Sequence, residues 1–114
     1  MEISIGNQVA KEILRQLGGS KFTVMTGSSK FLFADITETN KNYWLRMNLA
    51  SNKAKVNRLK IILNGDDTYT MKFYRQTIRN HTDVVITNEH TYDGVYCDML
   101  QDVFTDVTGL YTHL

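Results

Sequence analysis

The spacing of apolar residues along the chain changes from a helical period to a strand period and back. Near the N-terminus the apolar positions recur at steps of one and three residues. They are Val9, Ala10, Ile13, Leu14 and Leu17. This stripe predicts a helix over about Gln8 to Leu17. Asn7 is placed to cap its start, and Gly18-Gly19 is placed to end it.

The middle of the chain is rich in β-branched and aromatic residues, which predicts strands. They cover about Lys21 to Thr26, Lys30 to Ile36, Tyr43 to Leu49, Arg58 to Leu63, Tyr69 to Arg75 and Asp83 to Thr87. Gly27-Ser28-Ser29, between the first two, is typical of a hairpin turn. Asn64-Gly65-Asp66-Asp67 is the clearest turn, because Asn and Gly tolerate the positive φ values that tight hairpins require.

The helical period returns near the C-terminus. Its apolar positions are Val95, Tyr96, Met99, Leu100, Val103, Phe104 and Val107. They predict an amphipathic helix from about Gly94 to Thr108. Asp93 is placed to cap this helix and Gly109 to end it.

Alternation within the middle strands gives the apolar stripe of this helix a surface to cover. One face of these strands carries Leu45, Met47, Leu59, Ile61, Leu63, Tyr69, Met71 and Phe73. We therefore expect an α+β fold, in which a meander sheet of about five to six antiparallel strands has an N-terminal helix and the C-terminal helix packed on one face. Residues 1–114 form one domain on this interpretation. The strand near Val84 to Thr87 is a candidate exposed edge, open to pairing with a second copy.

Composition supports a globular chain without identifying an activity. The 114 residues are 42% apolar and 22% charged, with a net charge of +1. The sequence shows neither a leader peptide nor an apolar run that could span a membrane, so we expect a cytoplasmic protein. Its single cysteine, Cys97, has no internal disulfide partner.

The near-neutral total conceals a strong division of charge along the sequence. Residues 40–79 hold nine Lys or Arg and two Asp, whereas residues 80–114 hold six Asp or Glu and no Lys or Arg. The net charges of the two segments are therefore +7 and −6. A division of this kind indicates binding to charged partners.

Basic and aromatic residues alternate on the strand positions opposite the core set. If this face binds a single-stranded nucleic acid, the contacting residues are Trp44, Arg46, Arg58, Lys60, Lys72 and Tyr74. Cationic side chains pair with phosphates and aromatic rings stack on bases, so this pattern fits such a ligand. An ordinary solvated sheet face also explains the pattern, and from the sequence we favour that interpretation. The chain lacks the glycine-aromatic signature of RNA-recognition domains.

A second pattern lies in the acidic segment. Asp98, Asp102 and Asp106 are spaced by four residues, which predicts a ladder of like charges on the last helix. Each pair costs about 0.2–0.5 kcal/mol. The cost suggests a positive partner: the first helix through Lys11 and Arg15, the basic strands, or a basic surface of another molecule. Plain solvation of the three carboxylates is the alternative, and we favour it or a partner within the chain over another molecule.

No catalytic or metal-binding motif is recognisable. His81, His90, His113 and Cys97 lack the short spacing of zinc ligands, and Cys97 has no identified base. We therefore predict a non-enzymatic protein with no cofactor.

Three stretches carry a resemblance. They are Lys21 to Gly27, Leu63 to Phe73 and Asp98 to Tyr111. They resemble short accessory proteins encoded by bacteriophages and prophages. The resemblance implies a stoichiometric binder of a host protein or nucleoprotein complex, in the manner of host-defence inhibitors such as anti-CRISPR proteins. The resemblance carries over no functional residues. The candidate binding residues come from the charge pattern and are the three aspartates of the ladder, and single-stranded nucleic-acid binding through the basic strands is the alternative.

Overall fold

The computed structural model describes residues 5–37 and 41–112. Their order is α1 (Ile5–Leu17), α2 (Ser20–Thr26), β1 (Ser29–Ala34), β2 (Trp44–Asn48), β3 (Arg58–Leu63), β4 (Tyr69–Arg79), β5 (Asp83–Val95), a 3₁₀ turn (Cys97–Met99) and α3 (Leu100–Thr108). The five strands form one antiparallel sheet in the order β1-β2-β3-β4-β5. The predicted α+β class with its antiparallel sheet is confirmed.

The sheet has one buried face, set by the alternation of side chains along its strands. In one row across the sheet Leu45 lies opposite Ile61, which lies opposite Met71. In the next row on that face Met47, Leu59 and Phe73 are aligned in the same way. All six side chains are almost fully buried, so the predicted core face is correct.

All three helices cover this face. Ile13 and Leu17 of α1, Phe22 of α2, and Leu100 and Phe104 of α3 belong to the same buried cluster as the sheet residues. The rings of Phe22 and Phe104 meet edge to face with their centroids 5.0 Å apart. The opposite face of the sheet, which we call the outer face, carries no helix in the described part of the chain.

The start of α1 differs from the prediction. The helix is already formed at Ile5, so Asn7 lies inside it and is not its cap. The N–H of Gly6 donates to the carboxylate of Asp35 at 2.5 Å. Asp35 follows β1, and its negative charge stabilises the helix because it lies at the N-terminal end of α1. The predicted end is confirmed, because α1 stops at Leu17.

The predicted strand from Lys21 to Thr26 is wrong, because these residues form α2. Phe22 and Thr26 are both buried, and the Thr26 hydroxyl donates to the Phe22 carbonyl at 2.6 Å. Packing of Phe22 in the core therefore overrides the strand preference of a segment rich in Thr, Val and Phe. Gly27 does not form a hairpin turn but ends α2 in the left-handed conformation, at φ 68°.

The last helix begins later than predicted. Val95 is the final residue of β5, and α3 starts at Leu100 after the 3₁₀ turn. Asp93 is a strand residue that accepts a hydrogen bond from Thr70 at 2.8 Å, so it is not the helix cap. The predicted end is confirmed: Gly109 has φ 74°, and its N–H donates to the Thr105 carbonyl.

The β3–β4 turn is confirmed as a hairpin connection. The N–H of Asn64 donates to the Thr68 carbonyl at 2.8 Å, and Asp67 has a positive φ. The Asp66 carboxylate accepts hydrogen bonds from the N–H and hydroxyl of Thr68. These bonds favour the ionised form and lower the pKa of Asp66.

The β4–β5 hairpin is longer than predicted. β4 continues to Arg79 instead of ending near Arg75, and β5 continues from Asp83 to Val95. Two register shifts interrupt the β5 ladder. Asn88 and Gly94 lie at these shifts with positive φ values, and such bulges hide the period-two pattern from sequence inspection.

Candidate functional site

Three cations of the outer face lie side by side on neighbouring strands. Arg46 of β2 lies directly opposite Lys60 of β3, which lies directly opposite Lys72 of β4. We call these three residues the basic row. Neighbouring strands are about 4.8 Å apart, so the row extends over about 10 Å. The sequence predicted these residues on one face, and the register brings them into one line.

The basic row is electrostatically unfavourable in the free protein. Like charges directly opposite on a sheet destabilise it. The pKa of Lys60 is lowered, first because its ammonium is partly removed from water and then because of the charges on Lys72 and Arg46. The charged form of Lys60 is therefore destabilised by its surroundings, and an anion placed over the row would stabilise it.

Trp44 partly offsets the repulsion between the cations of the basic row through a cation–π contact with Lys60. The Lys60 ammonium lies 4.7 Å from the centre of the Trp44 ring. A cation over an aromatic face gains about 0.5–1 kcal/mol at exposed sites. One face of the only tryptophan is therefore occupied by Lys60 in this conformation. A base could stack on that face only if the Lys60 side chain moved.

The remaining two residues of the predicted nucleic-acid set lie one row further along the strands. Arg58 lies opposite Tyr74 and Asn48 on the outer face. Arg58 donates a hydrogen bond to the Asn57 carbonyl and is partly exposed. Tyr74 is only 9% exposed, so its ring offers little surface to a base. Among the predicted residues, the cations are thus better placed for a ligand than the rings.

No carboxylate neutralises the basic row in the described part of the chain. The only ion pair within 4 Å across residues 5–37 and 41–112 joins Glu12 and Arg15 of α1. Asp93 of β5 accepts its hydrogen bond from Thr70, which lies on the same face of β4 as Lys72. The row therefore presents uncompensated positive charge to the solvent.

The aspartate ladder is exposed but less regular than predicted. Asp98, Asp102 and Asp106 all lie at the surface, and none has a cation within 4 Å among the described residues. Asp98 belongs to the 3₁₀ turn, and Asp102 lies in the first turn of α3. Negative charge is favourable at that end of a helix. Only Asp106, in the last turn, is at the unfavourable end, so the ladder costs less than its spacing suggested.

One recess was missed by sequence reasoning. A groove of about 640 Å³ lies between the β2–β3 loop and the β4–β5 hairpin. Lys55 and Arg75 line it, together with the amides Asn52, Asn57 and Asn88. Asn52 and Asn57 use their side chains to hold the loop and the hairpin backbone. Asn88 lies one residue beyond the predicted end of β5 at Thr87, so the strand pattern did not place it beside the β2–β3 loop.

The sulfur and imidazole groups are scattered. Cys97 is exposed and lies in the 3₁₀ turn, although the predicted helix from Gly94 to Thr108 included it. His81 lies in the β4–β5 turn and His90 on β5, and His113 lies outside the described residues. Within the described ranges, no three His, Cys, Asp or Glu side chains come close enough to hold a metal ion.

Comparison with known proteins adds no family. No protein-family model, curated protein or solved structure matches this chain. The resemblance to phage-encoded proteins therefore stays a prediction. None of the helices in the described part of the chain is long and apolar enough to span a membrane.

Proposed function

We propose that this protein is a non-enzymatic binder of single-stranded nucleic acid and that the ligand lies across the outer face of the sheet. The proposal rests on one observation: Arg46, Lys60 and Lys72 are aligned in register, and no carboxylate of residues 5–37 and 41–112 pairs with them within 4 Å. A backbone with one negative charge per nucleotide fits a row of like charges better than a single anion does.

The electrostatics of Lys60 support this proposal. Its pKa is lowered in the free protein by desolvation and by two neighbouring cations. A phosphate above the row would supply the missing opposite charge and raise this pKa again. The affinity would come from the cations, with Trp44 as the one ring placed beside them. Such a site is sequence-tolerant, because phosphate contacts carry no base identity.

A matched pair of double variants tests the proposal. Lys60→Gln/Lys72→Gln removes two charges from the basic row, whereas Lys11→Gln/Lys21→Gln removes two exposed charges from the helix side of the molecule. We expect the wild type and the helix-side variant to bind a fluorescein-labelled oligothymidylate equally in an anisotropy titration at low salt. The basic-row variant should bind at least about tenfold more weakly. Equal affinity of the two variants, or no wild-type binding, would reject the site.

A second candidate function is the phage-type accessory role implied by the resemblance. In that role the aspartate ladder engages a basic surface of a host protein or nucleoprotein complex, as a host-defence inhibitor would. The observation that favours it is the exposure of three carboxylates without a cation within 4 Å in the described ranges. Charge of this kind steers association with a cationic partner.

The two candidates separate in one assay. The triple variant Asp98→Asn/Asp102→Asn/Asp106→Asn keeps the size of each side chain and removes the ladder's charge. If the acidic helix is the functional surface, this variant loses calorimetric binding to the host partner and keeps its response to oligonucleotide. Binding to that partner with wild-type affinity would exclude the ladder.

A further inference from the structure

The tip of the β4–β5 hairpin extends beyond the rest of the sheet. Gln76 is the last β4 residue bonded from the β3 side, through the side chain of Asn57. Beyond it the two strands pair only with each other, up to Arg79 opposite Asp83. In the turn, Asn80 and His81 both have positive φ, and the N–H of Thr82 donates to the Arg79 carbonyl. This pattern matches a type I′ turn.

One face of this extension is apolar and open to solvent. Ile78 lies directly opposite Val84, and Ile86 lies opposite Gln76 on the same face. Ile78, Val84 and Ile86 are 67%, 59% and 52% exposed. A two-stranded hairpin is marginally stable in water by itself, and three exposed aliphatic side chains add a driving force for burial.

The outer edge of β5 lacks the devices that normally protect an edge strand. In the described part of the chain β5 pairs with β4 alone. Residues 83–87 read Asp-Val-Val-Ile-Thr and contain no lysine, arginine or proline. The nearest bulge starts after them, at Asn88. Lysine, proline and bulges are the usual means of preventing edge-to-edge pairing.

We propose that two copies of this chain associate through residues 83–87, which pair as antiparallel strands with Val85 opposite its own copy. A two-fold axis perpendicular to the sheet places the outer faces of the two copies on the same side. Residues that lie opposite each other across the interface must therefore point to the same face. With the axis at Val85, Val84 of each copy lies opposite Ile86 of the other. If the axis passed through any other residue of the segment, Val84 would not lie directly opposite Ile86 of the other copy.

Charge also fits this register. Asp83 is the only charged residue of the segment, and it lies opposite Thr87 of the second copy, so no like charges meet. Within one chain, Arg75 lies opposite Thr87 and Arg79 lies opposite Asp83. Across the interface the row is therefore Arg79 and Asp83 of one chain followed by Thr87 and Arg75 of the other, so the next charged residue beyond Thr87 is a cation. Opposite charges in one row stabilise a sheet.

The pairing has a consequence for the outer face, and this consequence alone rests on the proposed function. The two-fold axis joins the two sheets into one continuous sheet and places both basic rows on the same side. One strand of nucleic acid could then contact both rows, which raises affinity by multivalency without new contacts. The pairing itself requires no nucleic acid.

Sedimentation velocity without nucleic acid tests the pairing. The interface is small, so association is expected over about 1 µM to 1 mM protein. The wild type should shift from a mass of 13.1 kDa to twice that value as its concentration rises. Val84→Lys/Ile86→Lys should stay monomeric. The control Val24→Lys/Ile5→Lys changes the same residue types at exposed helical positions and should still dimerise. A monomeric wild type, or a dimeric edge variant, overturns the proposal.

Disulfide trapping tests the register and leaves the aliphatic pair in place. In a Cys97→Ser background, Val85→Cys puts two thiols directly opposite each other, about 5 Å apart at Cβ. Thr87→Cys also leaves Val84 and Ile86 in place, and it puts the two thiols four residues apart along the paired strands, more than about 10 Å. Mild oxidation should cross-link the first variant several-fold faster than the second. Equal rates, or no cross-linking of the first variant, contradict pairing about Val85.

Discussion

Removal of one cation from the basic row should change the salt dependence of oligonucleotide binding by a predictable amount. The logarithm of the affinity for a single strand falls with the logarithm of salt concentration by about 0.7 for each phosphate neutralised. Three contacts, from Arg46, Lys60 and Lys72, therefore give a slope of about −2. Between about 50 and 200 mM salt this slope corresponds to about a twentyfold loss of affinity.

The perturbation is Lys60→Gln, because Lys60 is the central member of the row. Two remaining contacts give a slope of about −1.4, which is about a sevenfold loss over the same range of salt. The aliphatic part of glutamine preserves most of the packing beside Trp44. The control is Lys11→Gln, which removes one exposed charge from α1 on the other side of the molecule.

The assay is fluorescence anisotropy with a labelled oligothymidylate at four or more salt concentrations. The wild type and Lys11→Gln should share one slope, and Lys60→Gln should have a shallower one. An unchanged slope for Lys60→Gln would refute the assignment of a phosphate contact to this residue. An equal change in both variants would show that only the net charge matters and not the row.

Three further predictions concern stability. Phe22→Ala should lower the free energy of unfolding by about 3–5 kcal/mol in urea denaturation, because it removes a fully buried ring in contact with Phe104; a loss below about 1 kcal/mol would contradict the role of α2 in the core. Asp106→Asn should raise the melting temperature slightly and Asp102→Asn should lower it, since the two carboxylates lie at opposite ends of α3; equal shifts would count against the dipole argument. The lowered pKa of Lys60 means that the unfolded chain binds more protons between that pKa and its ordinary value of 10.5. The free energy of unfolding of the wild type relative to Lys60→Gln, measured by urea titration, should therefore rise as pH increases between the lowered pKa and 10.5. A fall over this range would mean that the pKa of Lys60 is raised and not lowered.

Regular alternation and strong turn residues explain what could be predicted from the sequence. β3 has the predicted limits of Arg58 and Leu63, because its run of strand-forming residues stops at the Asn64-Gly65 turn. The buried face of the middle strands and the end of α3 at Gly109 follow from equally local signals. The members of the basic row were recognised for the same reason.

Tertiary contacts explain the rest. The sequence of α2 favours a strand, and only the burial of Phe22 beneath α3 makes it a helix. β5 continues past two bulges to Val95, although the apolar stripe near the C-terminus had predicted a helix from Gly94. Tyr74 was expected to be an exposed ring, but only 9% of it is exposed, and the alternation of the strand does not reveal this burial. Alignment of three cations in one row depends on strand register, which composition does not reveal.

The most direct test of the central claim is an ¹H–¹⁵N correlation spectrum recorded during titration with unlabelled oligothymidylate. The chain has one tryptophan, so Trp44 gives a single indole signal beside the Lys60 ammonium. Binding at the outer face should shift this signal together with the backbone amides of Arg46, Lys60 and Lys72, and should leave α1 and α3 unchanged. A spectrum that does not change, or shifts confined to the helices, would contradict the account.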